Sequence, residues 1–285
     1  MIMSNYGTGN EFSQLRTAIL CPPTHFEIRK PINVIQAKWH ELGRGPDPAK
    51  GIHQYKVFKN TLIREGVTVW EIPPSKMYTY QVFTRDICVI ASNGIIIANL
   101  KFDPRKGEEK EVVKELETRG IAVSFTFEDP AILEGGDFVF IDNENVLLGI
   151  GDRTTEEALE KLKVFQPSIN FHPVYLPKDF LHLDVVLNIV SGNIALAYLP
   201  ALADDTLALL KSRQFRIIEV SSEEQETMAT NALAIGNNKV IAAESNGQAN
   251  EKMRKEGLEV IVIDMSEILK GGGGPRCMTL PVLRE

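Results

Sequence analysis

Cysteine is scarce in this chain. Three occur in 285 residues, at Cys21, Cys88 and Cys277, odd in number and far apart. That spacing excludes a disulfide framework and makes a reducing cytoplasm the default compartment. The spaced Cys/His pairs of a structural zinc site are missing too. No apolar run reaches membrane-spanning length. The stretch Met1 to Glu11 lacks the basic region and apolar segment of a signal peptide. Positive charge is in deficit: the formal net charge of -7 argues against nucleic acid or an anionic membrane as partner. Local basic residues can still meet a small substrate. No Pro/Ser-rich linker divides the chain, so residues 1–285 read as one domain. The hydrophobic share of 44% is enough for a full globular core.

What is present is a repeat. Asp86, Asp137, Asp184, Asn231 and Cys277 each open a short apolar hairpin, and they stand 51, 47, 47 and 46 residues apart. The hairpins are Asp86 to Ala98 around Asn93-Gly94, Asp137 to Gly149 around Asp142 to Asn145, Val185 to Tyr198 around Ser191-Gly-Asn193, and Ala232 to Ala243 around Gly236-Asn-Asn238. Helical periodicity follows at Gln54–Glu65, Glu108–Arg119, Thr155–Phe165, Pro200–Arg213 and Asn250–Glu256. Gly66, Gly120 and Gly257 stand as stops after three of these. A further strand is expected at Val67–Ile72, Ile121–Phe125, Phe215–Val220 and Leu258–Ile263, with a weaker one near Val174–Leu176. The fifth hairpin would pair Thr17–Cys21 with Met278–Leu283, sealing a ring by its two ends. An ordinary α/β sheet with chance spacing is the alternative.

Several residues stand out for their chemistry. Cys277 lies in Gly271-Gly-Gly-Gly-Pro-Arg-Cys277, where backbone can approach a ligand and Arg276 favours thiolate. A free cysteine is more often a small buried hydrophobe. The glycine run is no phosphate loop, because no Lys-Ser or Lys-Thr follows it. A thiol nucleophile needs a base or a paired imidazolium. His182 suits that need, since two residues apart on a strand puts it on one face with Asp184. Glu134, in Leu133-Glu-Gly-Gly-Asp137, could orient His182, although such a sequence is also an ordinary turn. Asp86 and Asp184 sit at equivalent places in the repeat and should face the axis. Two inward carboxylates call for a cation, and a planar guanidinium matches them with paired hydrogen bonds. A metal is the rival occupant. Arg105 and Arg153 each follow a hairpin and could hold a substrate carboxylate, where a solvated surface arginine is the commoner case.

Taken in order, Phe83-Thr-Arg-Asp86, Glu134-Gly-Gly-Asp137, His182-Leu-Asp184 and Gly273-Gly-Pro-Arg-Cys277-Met resemble the guanidino-group-modifying enzymes, the pentein superfamily. Arginine deiminases, dimethylargininases and amidinotransferases belong to it. The resemblance covers nearly the whole chain and implies an α/β fold, a five-bladed propeller of hairpin-helix-strand repeats. It implies Cys277 as nucleophile, His182 as general acid/base and Glu134 as its partner, with Glu134 on the guanidinium as the alternative. Asp86 and Asp184 would hold the guanidinium, Arg105 and Arg153 the α-carboxylate, and Phe83 would pack on the substrate. The implied reaction is hydrolysis of arginine or an N-methylated arginine through a Cys thiouronium, giving citrulline and ammonia or methylamine, with no cofactor and no metal.

The chain is short for an arginine deiminase and has the size of a dimethylargininase, yet Asp184 after His182 follows the deiminase pattern. A second acid suits a guanidinium with free N–H donors, so arginine is expected to serve at least as well as dimethylarginine. Amidino transfer to an amine is the second reading, weakened by Arg276 standing where those enzymes would carry His. A noncatalytic propeller that only binds is the third, and would not need Cys277, His182, Glu134 and both aspartates together. The partner expected is a small guanidino molecule. Self-association into a homo-oligomer is left open. Asn5–Phe12 and Gly43–Gly51 are the stretches that could close over a pocket.

Overall fold

The structure, a computed structural model, describes residues 6–91 and 93–285. The first unit holds β1 (Leu15–Leu20), α1 (Val34–Glu41), α2 (Pro48–Arg64) and β2 (Thr68–Glu71). The second holds β3 (Cys88–Ala91), β4 (Gly94–Ile97), α3 (Glu109–Thr118) and β5 (Phe125–Thr126). The third holds β6 (Phe138–Asp142), β7 (Asn145–Ile150), α4 (Glu156–Phe165) and β8 (Asn170–Tyr175). The fourth holds β9 (Leu187–Ser191), β10 (Ile194–Ala197), α5 (Asp204–Ser212) and β11 (Arg216–Glu219). After α6 (Ser222–Glu226), the fifth holds β12 (Leu233–Gly236), β13 (Lys239–Ala243), α7 (Gly247–Lys255) and β14 (Glu259–Ile263). Then come α8 (Ser266–Leu269) and β15 (Leu280–Arg284), which returns to the first unit.

These strands form five three-stranded sheets: β15-β1-β2, β3-β4-β5, β6-β7-β8, β9-β10-β11 and β12-β13-β14. Each is an antiparallel hairpin whose second strand pairs in parallel with a third strand, for example β3/β4 antiparallel and β4/β5 parallel. A parallel pair needs a crossover, and a helix supplies it in every unit. The architecture is the five-bladed α/β propeller of the pentein fold. Strands β3, β4, β7, β9 and β10 are buried throughout, so they read as continuous apolar runs instead of alternating ones. The outer strands β2, β11 and β14 are half exposed. The ring is sealed by β1 and β15, paired antiparallel from Leu15–Arg284 to Ile19–Leu280.

Several expected boundaries move. The second helix starts at Pro48, six residues before Gln54, because Asp47 caps it through Lys50 N and Pro48 fills the first turn. Helix α5 starts at Asp204 instead of Pro200, since Leu199–Ala201 forms a separate 3-10 turn. The strand expected at Ile121–Phe125 shrinks to Phe125–Thr126. The one expected to be weak, near Val174–Leu176, is the six-residue β8, whose Pro173 is tolerated because β8 is an edge strand. Helix stops at Gly66, Gly120 and Gly257 hold, with φ of 84°, 71° and 87°. Ser92, which falls in the expected first hairpin, and Asn5 lie outside the described residues. Among the described residues no helix is long and apolar enough to cross a membrane.

The spacing of the repeat now has a structural meaning. Each of the five register residues sits where the chain enters the first strand of a hairpin, in three cases in or at the end of a 3-10 turn: Thr84–Asp86, Gly135–Asp137 and Leu183–Val185. All five are buried. The fold thus collects polar residues from every blade at one end of the ring.

Candidate active site

The glycine-rich loop is shaped by what lies under it. A Cβ on Gly273 would sit 2.7 Å from the Phe83 ring and 2.9 Å from Cys277 Cβ. Only glycine lets the loop lie flat on Phe83 with Cys277 beside the ring. Asn231 clamps the loop: its Oδ1 accepts from Cys277 N at 3.0 Å and Gly274 N at 2.9 Å, and its Nδ2 donates to Cys277 Sγ at 3.0 Å. No sequence motif points to Asn231 as a site residue; its place in the repeat is the one signal that could have found it.

The sulfur is buried and lies 3.5 Å from Asp184 Oδ2. That oxygen also accepts from the Arg276 guanidinium, while Asp184 Oδ1 has no hydrogen-bond partner. Burial, reinforced by Asp184 and Asp86, pushes the thiol well above its ordinary range, and Arg276 only partly opposes this. Arg276 does favour thiolate, as its position suggested, but burial and the two aspartates outweigh it in the free protein. Arg276 is committed to Asp184 and to Glu11.

His182 and Asp184 do not share a strand face, as their spacing suggested. His182 is extended and Asp184 lies in a 3-10 turn, so the two side chains part. His182 Nε2 meets Glu134 Oε2 at 2.7 Å, and its Nδ1 stands 3.6 Å from Asp86 Oδ1. A Cβ on Gly136 would lie 2.5 Å from that Nδ1, so the second glycine of Glu134-Gly-Gly-Asp137 makes room for the imidazole. Burial disfavours its charge, but Asp86, Asp137 and Glu134 outweigh burial and lift His182 to about 9. Both oxygens of Glu134 are taken. Oε1 accepts from Lys101 N at 2.9 Å, and Oε2 from Arg153 at 2.8 Å as well as from His182. Asp137, pushed up to about 7 by burial, accepts from Thr154 Oγ1 and Leu183 N.

Arg105 and Arg153 are buried, against the commoner surface role. Arg105 binds Asp86 Oδ2, the Phe83 carbonyl at 3.0 Å and Glu108 at 2.8 Å. Glu108 is buried and carries no motif. Arg153 binds Glu134 and the Ile32 carbonyl at 2.7 Å, with Phe102 stacked 4.4 Å from its guanidinium carbon. Phe83, Asp86, Arg105, Arg153 and Cys277 line one cavity of about 10 Å³, room for about one water. Its roof is the strap from Lys30 to Gln36, tied by Asn33 and Gln36 to the Gly271 carbonyl and by Tyr80 to the Lys30 carbonyl. Neither Gly43–Gly51 nor the described part of Asn5–Phe12 lines it. As it stands the cavity is too small for a molecule of amino-acid size.

Asp86, Glu134 and His182 place ligand atoms within 4.8 Å of one another, a grouping that a divalent cation could use. A cation would have to remove the His182 proton and detach Arg153 from Glu134, so the set suits a proton better than a metal. The proton has a consequence for stability. Because the folded His182 pKa is raised from 6.5 to about 9, the folded protein keeps a proton that the unfolded chain gives up. That stabilisation is complete below about pH 6.5 and is lost as pH rises through about 9. Thermal melting should fall by roughly 5 °C between pH 7 and pH 9.5. His182→Asn should flatten this slope, and an equal slope in the variant would refute the assignment.

A family model for the eukaryotic N,N dimethylarginine dimethylhydrolases matches residues 22–284. The chain belongs to this family. YkgA of Bacillus subtilis (strain 168), an uncharacterized protein, is 35% identical over 96% of this chain and 94% of its own length. The N-terminal domain of ArgZ, an arginine dihydrolase from the ornithine-ammonia cycle in cyanobacteria, superposes with a TM-score of 0.85 at 23% identity, covering 95% of this chain and 98% of that domain. DDAH from Pseudomonas aeruginosa, in complex with citrulline, superposes with a TM-score of 0.78 at 24% identity over 95% and 100%. These two solved structures share the fold, and it is the family model that relates this chain to the dimethylarginine dimethylhydrolases.

Proposed function

We infer that this chain hydrolyses the guanidino carbon of arginine or an N-methylated arginine through a covalent intermediate on Cys277. One observation carries the reading. Asp86 Oδ1 and Asp184 Oδ1 are buried acceptors without hydrogen-bond partners, their carboxylates act on the Cys277 thiol, and His182 stands against Asp86. A buried, unpaired acceptor is costly, and two of them around one sulfur ask for a flat cation rich in N–H. A guanidinium fits that request. Family membership supports the same substrate class.

The chemistry then follows from charge. In the free protein the thiol is neutral because burial and two carboxylates disfavour thiolate. A guanidinium settling between Asp86 and Asp184 cancels their field, so the thiol gives up its proton to solvent water as the cation arrives. The thiolate adds to the guanidino carbon. His182, protonated on both nitrogens, gives a proton to the departing amine as its C–N bond breaks, leaving an S-alkylthiouronium. Water then attacks that carbon, His182 takes one of its protons, and the C–S bond breaks as the remaining hydroxyl proton passes to sulfur, releasing a ureido product and restoring the neutral thiol. Glu134 orients His182, since both its oxygens are already engaged. Arg105 and Arg153 stand over the cavity as anchors for the α-carboxylate, and Phe83 forms its apolar wall. Asp86, Glu134, the pair His182 and Asp184, and Cys277 come from four different units of the ring, which supports reading residues 1–285 as one catalytic domain.

The test is turnover of arginine, monomethylarginine, dimethylarginine and agmatine, with and without an added amine. Citrulline from arginine at a rate at least equal to that from dimethylarginine is the expected result. Turnover of methylated arginines alone would defeat the arginine reading, since N-methylation removes donors that Asp184 Oδ1 could use. A new guanidino product with the amine would mean amidino transfer, and no turnover of any would defeat the hydrolase.

A further inference from the structure

The end of the ring away from the cysteine loop is closed by the segment Gly7–Gln14, which touches every blade. Gly7 N donates to the Val282 carbonyl at 2.8 Å, and Thr8 Oγ1 to that of Ile90. Gly9 lies against Asn143, Phe12 against Gly192, and Gln14 against Gly236 and Asn237. These contacts fall at or near the hairpin turns, opposite the five register residues. From the middle of this segment Glu11 reaches into the ring. Its Oε1 accepts from Arg85 at 2.7 Å, from Arg276 at 3.1 Å and from Phe140 N at 3.2 Å.

Arg85 precedes Asp86 in the chain, and Arg276 precedes Cys277. Both arginines donate to Glu11 and to the Phe138 carbonyl, so they form a layer of positive charge between this segment and the site residues. Arg276 spans the two, with one nitrogen on Asp184 and the other on Glu11. We propose that Glu11 is a positioning residue for the reaction: it divides the charge of Arg276 between itself and Asp184, and so keeps Asp184 available to a cationic substrate. This rests on the guanidino-hydrolase reading for its effect on substrate, but not for its effect on the thiol.

The electrostatics support the division. Glu11 is brought down to about 2 despite burial, because Arg276, Arg85 and Arg284 surround it. The charged groups that act on the Cys277 thiol are Asp184, Asp86 and Arg276, with Asn231 donating to the sulfur and His182 against Asp86. Among these only Arg276 touches Glu11. Without the Glu11 charge, Arg276 would act undivided on Asp184 and on the sulfur.

Glu11→Gln is a clean probe, since the three contacts all end on Oε1 and an amide oxygen can keep them. Arg85→Gln removes a positive charge from the same carboxylate and should act in the opposite sense. The readout is alkylation of Cys277 by iodoacetamide at pH 8 in the absence of substrate, followed by peptide mass spectrometry. Glu11→Gln should react about threefold faster: a thiol pKa about one unit lower gives tenfold more thiolate, and its weaker nucleophilicity offsets part of the gain. Arg85→Gln should react about threefold slower by the same reasoning. For Glu11→Gln the KM for arginine should rise about tenfold, with kcat changed less than threefold. Alkylation rates that move together, or not at all, overturn the proposal whatever happens to melting temperature. Should one variant not fold, the other must still move in its own direction. If wild type turns over no guanidine, the functional reading fails while the opposed alkylation shifts still decide the role of Glu11.

Discussion

Cys277→Ala should lower kcat on any guanidino substrate by about 10⁴-fold or more, and His182→Asn should do nearly as much. The sulfur carries the covalent bond, and the groups around it offer no replacement. Asn231 is committed to the loop, and Asp184 to Arg276. Cys277→Ser keeps an acceptor for Asn231 Nδ2 and should fold as well as wild type, yet it should be equally inactive, because a neutral hydroxyl under two carboxylates is harder to ionise than a thiol. The double variant Cys277→Ala/His182→Asn should be no worse than either single one. Attack on carbon and protonation of the leaving amine belong to one step, so removing one part leaves the other nothing to do. In wild type, acid quenching during turnover should leave on Cys277 a mass adduct equal to substrate less the departing amine. Residual kcat within tenfold of wild type in Cys277→Ser, with the protein folded, would end the covalent reading.

Much of this was legible before any coordinates. The 46–51-residue spacing named the ring and the ends that seal it, because every hairpin must begin with a polar residue on the inside and continue with buried strands. Less legible was whatever depends on contacts between blades. Asn231 looks like any turn residue until it is seen holding the Cys277 sulfur and backbone. Glu11 and Glu108 belong to no motif, and each acquires meaning only from an arginine: two far along the chain for Glu11, one three residues before Glu108. Arg276 was read as support for thiolate because sequence shows adjacency but not competition. In the fold it has two carboxylate partners, and burial decides the thiol. The strap was missed because Lys30–Gln36 has no glycine-rich signature, and α1 behind it buries only Gln36, which leaves no apolar stripe to read.

The buried charges also explain why single substitutions here should not be equivalent. Asp86 serves two groups, Arg105 on Oδ2 and His182 Nδ1 at 3.6 Å from Oδ1, and Oδ1 is left without a hydrogen bond. Asp184 serves Arg276 and the Cys277 sulfur and leaves Oδ1 open. Asp86→Asn removes one of the three anions that raise His182, so the His182 pKa should fall from about 9 towards its ordinary value of 6.5. The proton for the leaving amine is then lost at lower pH, and the alkaline limb of kcat/KM should move down by about one unit. Loss of the guanidinium partner adds to this, for a combined drop in kcat/KM of about 10³-fold. Arg105 retains Glu108, whose Oε1 is free of hydrogen bonds, so the variant should still fold.

Asp184→Asn should behave differently. The thiol loses the anion that raises it most after burial, so Cys277 in the free protein should alkylate faster, while the alkaline limb set by His182 stays in place. Weaker guanidinium binding should appear chiefly in KM, with kcat/KM down about 10²-fold. The loss should be smaller for dimethylarginine than for arginine, because methyl groups already deny Asp184 a donor. If both variants lose activity equally, with the alkaline limb and the alkylation rate unmoved in each, the two carboxylates do no more than hold the ring together. If instead each moves its own observable, Asp86 governs the proton on His182 and Asp184 governs the charge on sulfur. One guanidinium lying between them would then engage both controls at once.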